Sequence, residues 1–178
     1  LRRALGGTTL SQPNQFELQR FAERYYNRKC RGGESYLEIA KTIYYTKNRL
    51  AHCVLSLKPF GCLPSTQSDG AQAAVLADYP DILFAAVETA GEGDANAYSR
   101  VQMVLTEAKD LVRAEYRECL RNANLTPHDV TRFLEEHPDF RRPLLKLPKD
   151  CHGVSKASRL VQLITHSIST SNKTRHVE

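Results

Sequence analysis

The stretch HCVLSLKPFGCLPSTQSDGAQAAVLADYPDILFAAVET, His52 to Thr89, decides the fold. It opens on HCVLSL (52–57), a short apolar run with a β-branched centre, which predicts a buried strand. Pro59 and Gly61 end that strand. STQSDGAQAAVLADYP (65–80) then predicts a helix capped by Ser65 or Thr66 and stopped by Pro80. Thr66-x-x-Asp69 has the shape of a capping box. DILFAAVET (81–89) predicts a second buried strand. Strand, helix and strand in this order imply parallel pairing through a right-handed crossover.

Working outward, AGEGD (90–94) is a turn, and Asp94 or Asn96 can cap a long helix. That helix carries Val101, Val104, Leu105, Ala108, Leu111, Val112, Cys119 and Leu120 at a sustained helical period. Upstream, residues 11–30 predict a helix with Leu18, Phe21, Ala22 and Tyr25 on one face. RGGE (31–34) breaks it, and residues 34–51 predict a second helix. Downstream, Thr126 caps a short helix with Pro127 at its first position. DFRRPLLKLPKDCHG (139–153) is irregular, and residues 154–168 predict a last helix docking Leu160, Val161, Ile164 and Ile168. The expected architecture is a three-layer α/β domain with a small parallel sheet. Residues 1–51 form a helical hairpin on the core, 52–170 form the α/β domain with a C-terminal docking helix, and 171–178 form a frayed tail.

Composition narrows the function classes. The chain has 178 residues, 41% hydrophobic and 25% charged, which are ordinary globular values. No apolar run approaches the about 20 residues that span a bilayer, so no membrane partner is expected. The cysteines Cys30, Cys53, Cys62, Cys119 and Cys151 are odd in number, widely spaced and without a CxxC pair. That pattern argues against a disulfide framework or a self-contained zinc site, and fits reduced thiols in the cytoplasm. The net charge of +5 is a small excess. The start LRRALGG, with one Met in the whole chain, reads as a piece of a longer polypeptide. No Ser-His-Asp spacing, HExxH or Walker-type loop is present, and the six histidines are scattered. Catalysis by this piece alone is not expected.

Two loops carry the chemistry. One is Pro59-Phe60-Gly61-Cys62-Leu63-Pro64-Ser65 and the other Glu88-Thr89-Ala90-Gly91-Glu92-Gly93-Asp94. Both follow the carboxyl ends of strands, where open parallel sheets bind ligands. Cys62 precedes a helix N-terminus, which favours thiolate, the form that attacks electrophiles or ligates iron. Against this stands a plain reading, a small residue packed beneath Phe60. Cys53 and Cys119 read as core and Cys30 as incidental, while Cys151, beside His152, is a second thiol candidate. Glu88 either orders its loop or serves as acid or base, and Asp94 is an N-cap. Gly91 and Gly93 resemble a fragment of a dinucleotide fingerprint, but the third glycine is missing and Glu92 sits where a phosphate would lie. Arg100 can meet an anion or pair with Glu92. On the first helix Arg20, Arg24, Arg28 and Arg31 make a basic stripe, an alternative site for an anion such as a CoA phosphate, nucleic acid or another polyanion. Glu17 and Glu23 interrupt that field, so a solvated or docking face is the plainer reading and a nucleic-acid partner is not expected.

Residues Lys58 to Ala108 resemble the C-terminal region of large CoA-substrate-specific enzyme activases, relatives of the 2-hydroxyacyl-CoA dehydratase system. The matching pieces are Pro59 to Ser65, Glu88-Thr89, Gly93-Asp94-Ala95-Asn96 and Ser99-Arg100-Val101-Gln102-Met103, in that order. Residues 147–167 are similar only loosely. The resemblance implies a cytoplasmic, oxygen-sensitive protein with ATPase modules upstream in the same polypeptide. ATP hydrolysis there would drive an electron from an iron–sulfur cluster into a dehydratase-like component or second subunit. This region would belong to the dehydratase-like part, with Cys62 the candidate cluster ligand and Gly61, Ser65, Glu88, Thr89, Gly91, Gly93, Asp94, Asn96 and Arg100 around it. Leu63 stands where the family has Met, and Gly153-Val154-Ser155-Lys156-Ala157 where it has a Gly-Thr-Ala run. A [4Fe–4S] cluster takes four thiolates, and no clear set of four is present, so the isolated piece is expected to hold none.

Overall fold

The computed structural model describes residues 13–27, 29, 30, 33, 35–89, 94–142, 145, 147 and 154–175. Among these it has six helices and a small two-stranded parallel sheet. Gln12–Leu111 form one compact unit and Val112–Glu178 fall in another.

The first unit is built on α1 (Gln15–Ala22), α2 (Ser35–Lys47), β1 (Val54–Pro59), α3 (Leu63–Asp78) and β2 (Phe84–Thr89). α4 (Asp94–Ala123) follows, and the division between the units falls within it. β1 and β2 pair in parallel from Val54↔Phe84 to Pro59↔Thr89, with α3 as the crossover. α1 and α2 pack as a hairpin, and α2 lies against both α3 and β1. Leu18 and Ala22 of α1, Ile39, Ala40 and Ile43 of α2, Val75 of α3 and Ile82 make the buried apolar core.

α1 is shorter than its apolar spacing suggests. Asn14 caps it, its side chain accepting the Phe16 N–H at 2.9 Å. It ends at Ala22, although the spacing continues to Tyr25. Beyond the helix, the Tyr25 hydroxyl donates to Asp78 Oδ2 at 2.7 Å and Arg24 pairs with the same oxygen at 3.0 Å. Burial and then the Asp78 carboxylate push the Tyr25 hydroxyl up to about 12. These contacts fasten the chain after α1 to the end of α3, and they compete with helical propagation.

β1 is not the buried apolar strand that its composition suggested. In β1 the polar Ser56 and Lys58 are buried, while Leu55 and Leu57 are 41% and 64% exposed. The inward face therefore carries a polar seam. Glu38 of α2 accepts hydrogen bonds from Ser56 Oγ at Oε1 and from Ser68 Oγ of α3 at Oε2. The Ser65 carbonyl also lies 2.8 Å from Ser68 Oγ, so the single hydroxyl proton is shared between this carbonyl and Glu38. Lys58 Nζ pairs with Asp69 of α3. A lysine is rarely buried unless it is paired in this way. Gln72, one helical turn beyond Ser68, is buried with neither side-chain polar atom hydrogen-bonded to a described group.

The second unit has its own core of Leu120, Val130, Val161 and Ile164, with Cys119 and Leu160 packed against it. α5 (Pro127–Glu136) starts where the sequence places it: Thr126 and Asp129 form a reciprocal capping box, with Pro127 at the first position. A 3-10 turn, Pro138–Arg141, follows. α6 (Lys156–Arg175) begins at Ser155, whose Oγ accepts the Ser158 N–H at 3.0 Å. Glu115 of α4 accepts the N–H groups of Val154 and Ser155 at 3.2 and 3.0 Å. α6 runs on to Arg175, past Ile168, where the apolar spacing stops.

One close approach fixes how α2 meets α3. Gly33 has φ +76°, and a Cβ there would lie 2.5 Å from Pro64 Cγ. Gly33→Ala is therefore expected to cost about 1–3 kcal/mol through overpacking and backbone strain. Urea denaturation reads this directly, and an unchanged midpoint would contradict the contact.

Candidate functional site

The site grows from the turn between β1 and α3. Pro59 ends the strand, and Gly61 takes φ +72°, a conformation that only glycine adopts freely. The Cys62 N–H bonds the Pro59 carbonyl at 3.3 Å and closes the turn. Cys62, not Ser65 or Thr66, is the N-cap of α3, and Pro64 lies in the first turn. The capping-box reading of Thr66 and Asp69 is thereby corrected. Thr66 lies inside the helix, its N–H and its hydroxyl both bonding the Cys62 carbonyl at 3.0 Å. Asp69 is turned to Lys58 instead.

The Cys62 sulfur makes no full side-chain capping bond to the helix and remains open as an acceptor. Ser65 Oγ donates to Cys62 Sγ at 3.3 Å. The Ser65 hydroxyl, followed by the Ser65 backbone N–H, holds the thiol below its ordinary range. Desolvation and the Glu38 carboxylate oppose this, and Lys58 assists it. Phe60 and Leu63 on either side of the turn are 74% and 77% exposed, so neither buries the thiol. The other described cysteines differ. Cys53 precedes β1 rather than lying within it, and burial pushes its thiol up. Cys119 is half-buried on the second core and accepts a contact from Gln162 Nε2 at 3.7 Å. Cys30 is exposed.

The second loop leaves the same end of the sheet. The Phe60 N–H bonds the Thr89 carbonyl at 3.3 Å, and Thr89 Oγ1 donates to the Lys58 carbonyl at 3.1 Å. A pocket of ≈ 750 Å³ lies against this end. Its walls are the last part of β2 through Glu88, the Lys58–Asp69 pair, and the first turns of α4 through Asn96, Ser99 and Arg100. Phe60 and Met103, both exposed, flank it. Asp94 is the first residue of α4. The structure thus brings Gly61, Cys62, Ser65, Glu88, Thr89, Asn96 and Arg100 to one sheet end. Gly91, Glu92 and Gly93 lie outside the described residues, as do Cys151, Arg28 and Arg31. Arg20 is in the last turn of α1, and Arg24 lies beyond the helix on Asp78, so the described residues carry no continuous arginine stripe.

Sequence reasoning missed Lys58, Asp69 and Glu38. A lysine at the end of an apolar strand was the available signal for the first, since buried ammonium groups need a carboxylate partner. Nothing local pointed to Glu38, whose partners lie 18 and 30 residues away.

Compared with protein-family models, with curated proteins and with solved structures, the chain matches none.

The geometry makes a reactivity prediction. Cys62 should be alkylated by iodoacetamide at lower pH than Cys53, as followed by peptide mass spectrometry. A depressed pKa means thiolate persists to lower pH, so Ser65→Ala should move the Cys62 midpoint upward. An unmoved midpoint would rule out the Ser65 hydroxyl as the cause.

Proposed function

We propose that this chain is an α/β domain of a CoA-substrate-specific enzyme activase, related to the 2-hydroxyacyl-CoA dehydratase system, and not catalytic on its own. What supports the reading is convergence. Pro59 to Ser65, Glu88-Thr89, Asn96 and Ser99 to Met103, separate in sequence, gather at one end of one sheet. In this reading the protein is cytoplasmic, ATPase modules lie upstream in the same polypeptide, and a dehydratase-like component is the partner. The wider fold is a three-layer α/β domain, in which further chain covers the open Leu55 and Leu57 face.

A four-iron cluster takes four thiolates. Among the described residues no group of three or more His, Cys, Asp or Glu side chains gathers to hold a metal. The described residues therefore do not fit a whole cluster. Cys62 fits as a single ligand at most, a thiolate favoured by Ser65, with the remaining ligands supplied by other domains or a second subunit.

A second reading is an interaction domain without redox chemistry. The exposed Leu55, Leu57, Phe60 and Leu63 favour it, because large apolar side chains grouped on a surface mark contacts with other chains. No helix among the described residues is long and apolar enough to cross a membrane.

Anaerobic reconstitution of the full-length protein with iron and sulfide separates the two. The activase reading expects Cys62→Ala to lower iron content and visible cluster absorbance. Unchanged iron and absorbance would remove Cys62 as a ligand and leave the interaction reading standing.

A further inference from the structure

The pocket at the sheet end has a charge arrangement that the reading of Cys62 does not use. Lys58 and Asp69 satisfy each other within it. Glu88 and Arg100 also line it, are exposed, and form no ion pair among the described residues. One charge of each sign, without an ion pair among the described residues, thus faces a pocket of ≈ 750 Å³, within the size range of small-molecule sites. Arg100 lies about two turns into α4, a 30-residue helix. Asn96 and Ser99 offer hydrogen-bonding side chains on the same wall. Between the charges the wall is apolar at Ala86 of β2, with Phe60 and Met103 74% and 73% exposed at the flanks.

These features select a ligand class. A polyanion would meet Glu88 with like charge, and a simple cation would meet Arg100. A neutral apolar molecule would strand both charges as it displaced their water. A small molecule carrying a cation and a carboxylate around an apolar body satisfies every wall at once. We infer that this pocket binds a small zwitterion, an amino acid or short peptide with an apolar side chain. Its carboxylate faces Arg100, with Asn96 and Ser99 as hydrogen-bonding neighbours, and its ammonium faces Glu88. The apolar body lies between Phe60 and Met103. An arginine suits the carboxylate end because its planar fork matches carboxylate geometry. The inference needs neither Cys62 nor an iron–sulfur cluster, and it stands or falls separately from the activase reading.

Isothermal titration calorimetry of the intact chain with four probes tests it: L-leucine, the dipeptide Leu-Leu, N-acetyl-L-leucine and L-leucinamide. Binding of either zwitterion, with at least tenfold weaker binding of both blocked probes, is the expected result. Tighter binding of leucine identifies the free amino acid as the better ligand, and tighter binding of Leu-Leu identifies a peptide. Arg100→Gln and Glu88→Gln replace exposed side chains, and circular dichroism confirms that each variant folds. Each should weaken zwitterion binding at least tenfold, while Arg100→Gln leaves the residual binding of L-leucinamide unchanged. No binding by either zwitterion overturns the inference. So does equal binding of the blocked probes, or full affinity in both variants.

Discussion

A single carboxylate ties the first unit together. Glu38 projects from α2 between β1 and α3 and accepts a serine hydroxyl from each. Strand, crossover helix and hairpin are thereby fixed at one point, where an apolar contact would leave them free to slide. Buried polar groups are expensive unless satisfied, so such a network specifies one arrangement when complete and penalises others. The consequence reaches the candidate site. Ser68, held by Glu38, also bonds the Ser65 carbonyl, and the Ser65 hydroxyl is the donor to the Cys62 sulfur. The thiol's environment is set through two serines by a residue on a different helix.

Much of the frame was legible in the sequence because its signals are local. Pro59 and Gly61 stop β1, and Thr126 with Pro127 starts α5. The strand–helix–strand order implied parallel pairing, which is present. What failed was decided at a distance. Leu55 and Leu57 make β1 read as buried, yet the inward positions belong to Ser56 and Lys58 because Glu38 and Asp69 wait there. α3 starts at Leu63 because the Gly61 turn releases Cys62 into an extended N-cap conformation, and Asp69 is drawn to a lysine 11 residues back. The spacing of Tyr25 extends α1 on paper, but Asp78 captures both Tyr25 and Arg24 after the helix has ended.

The candidate site was legible in the same uneven way. That Cys62 lies at a helix N-terminus follows from Pro64 and the glycine turn, and that both loops share one sheet end follows from parallel topology. The pocket was not legible, since it needs Lys58, Asp69 and the first turns of α4 placed against β2. The inverted strand is the price of that arrangement: polar side chains occupy the packed face and two leucines are left outward. Parallel sheets are ordinarily covered on both faces. Here Leu55 and Leu57 remain 41% and 64% exposed, while Val87, paired with Leu57 across the sheet, is buried.

The role of Glu38 is most directly measured by amide hydrogen exchange in Glu38→Ala. Removing the carboxylate strands the Ser56 hydroxyl and leaves Ser68 only the Ser65 carbonyl, and a buried group left unsatisfied costs about 1–3 kcal/mol. The account predicts faster exchange in both β1 and the first turns of α3, with the Thr66 amide at the Cys62 cap among the amides affected. Unchanged protection in both segments would contradict it.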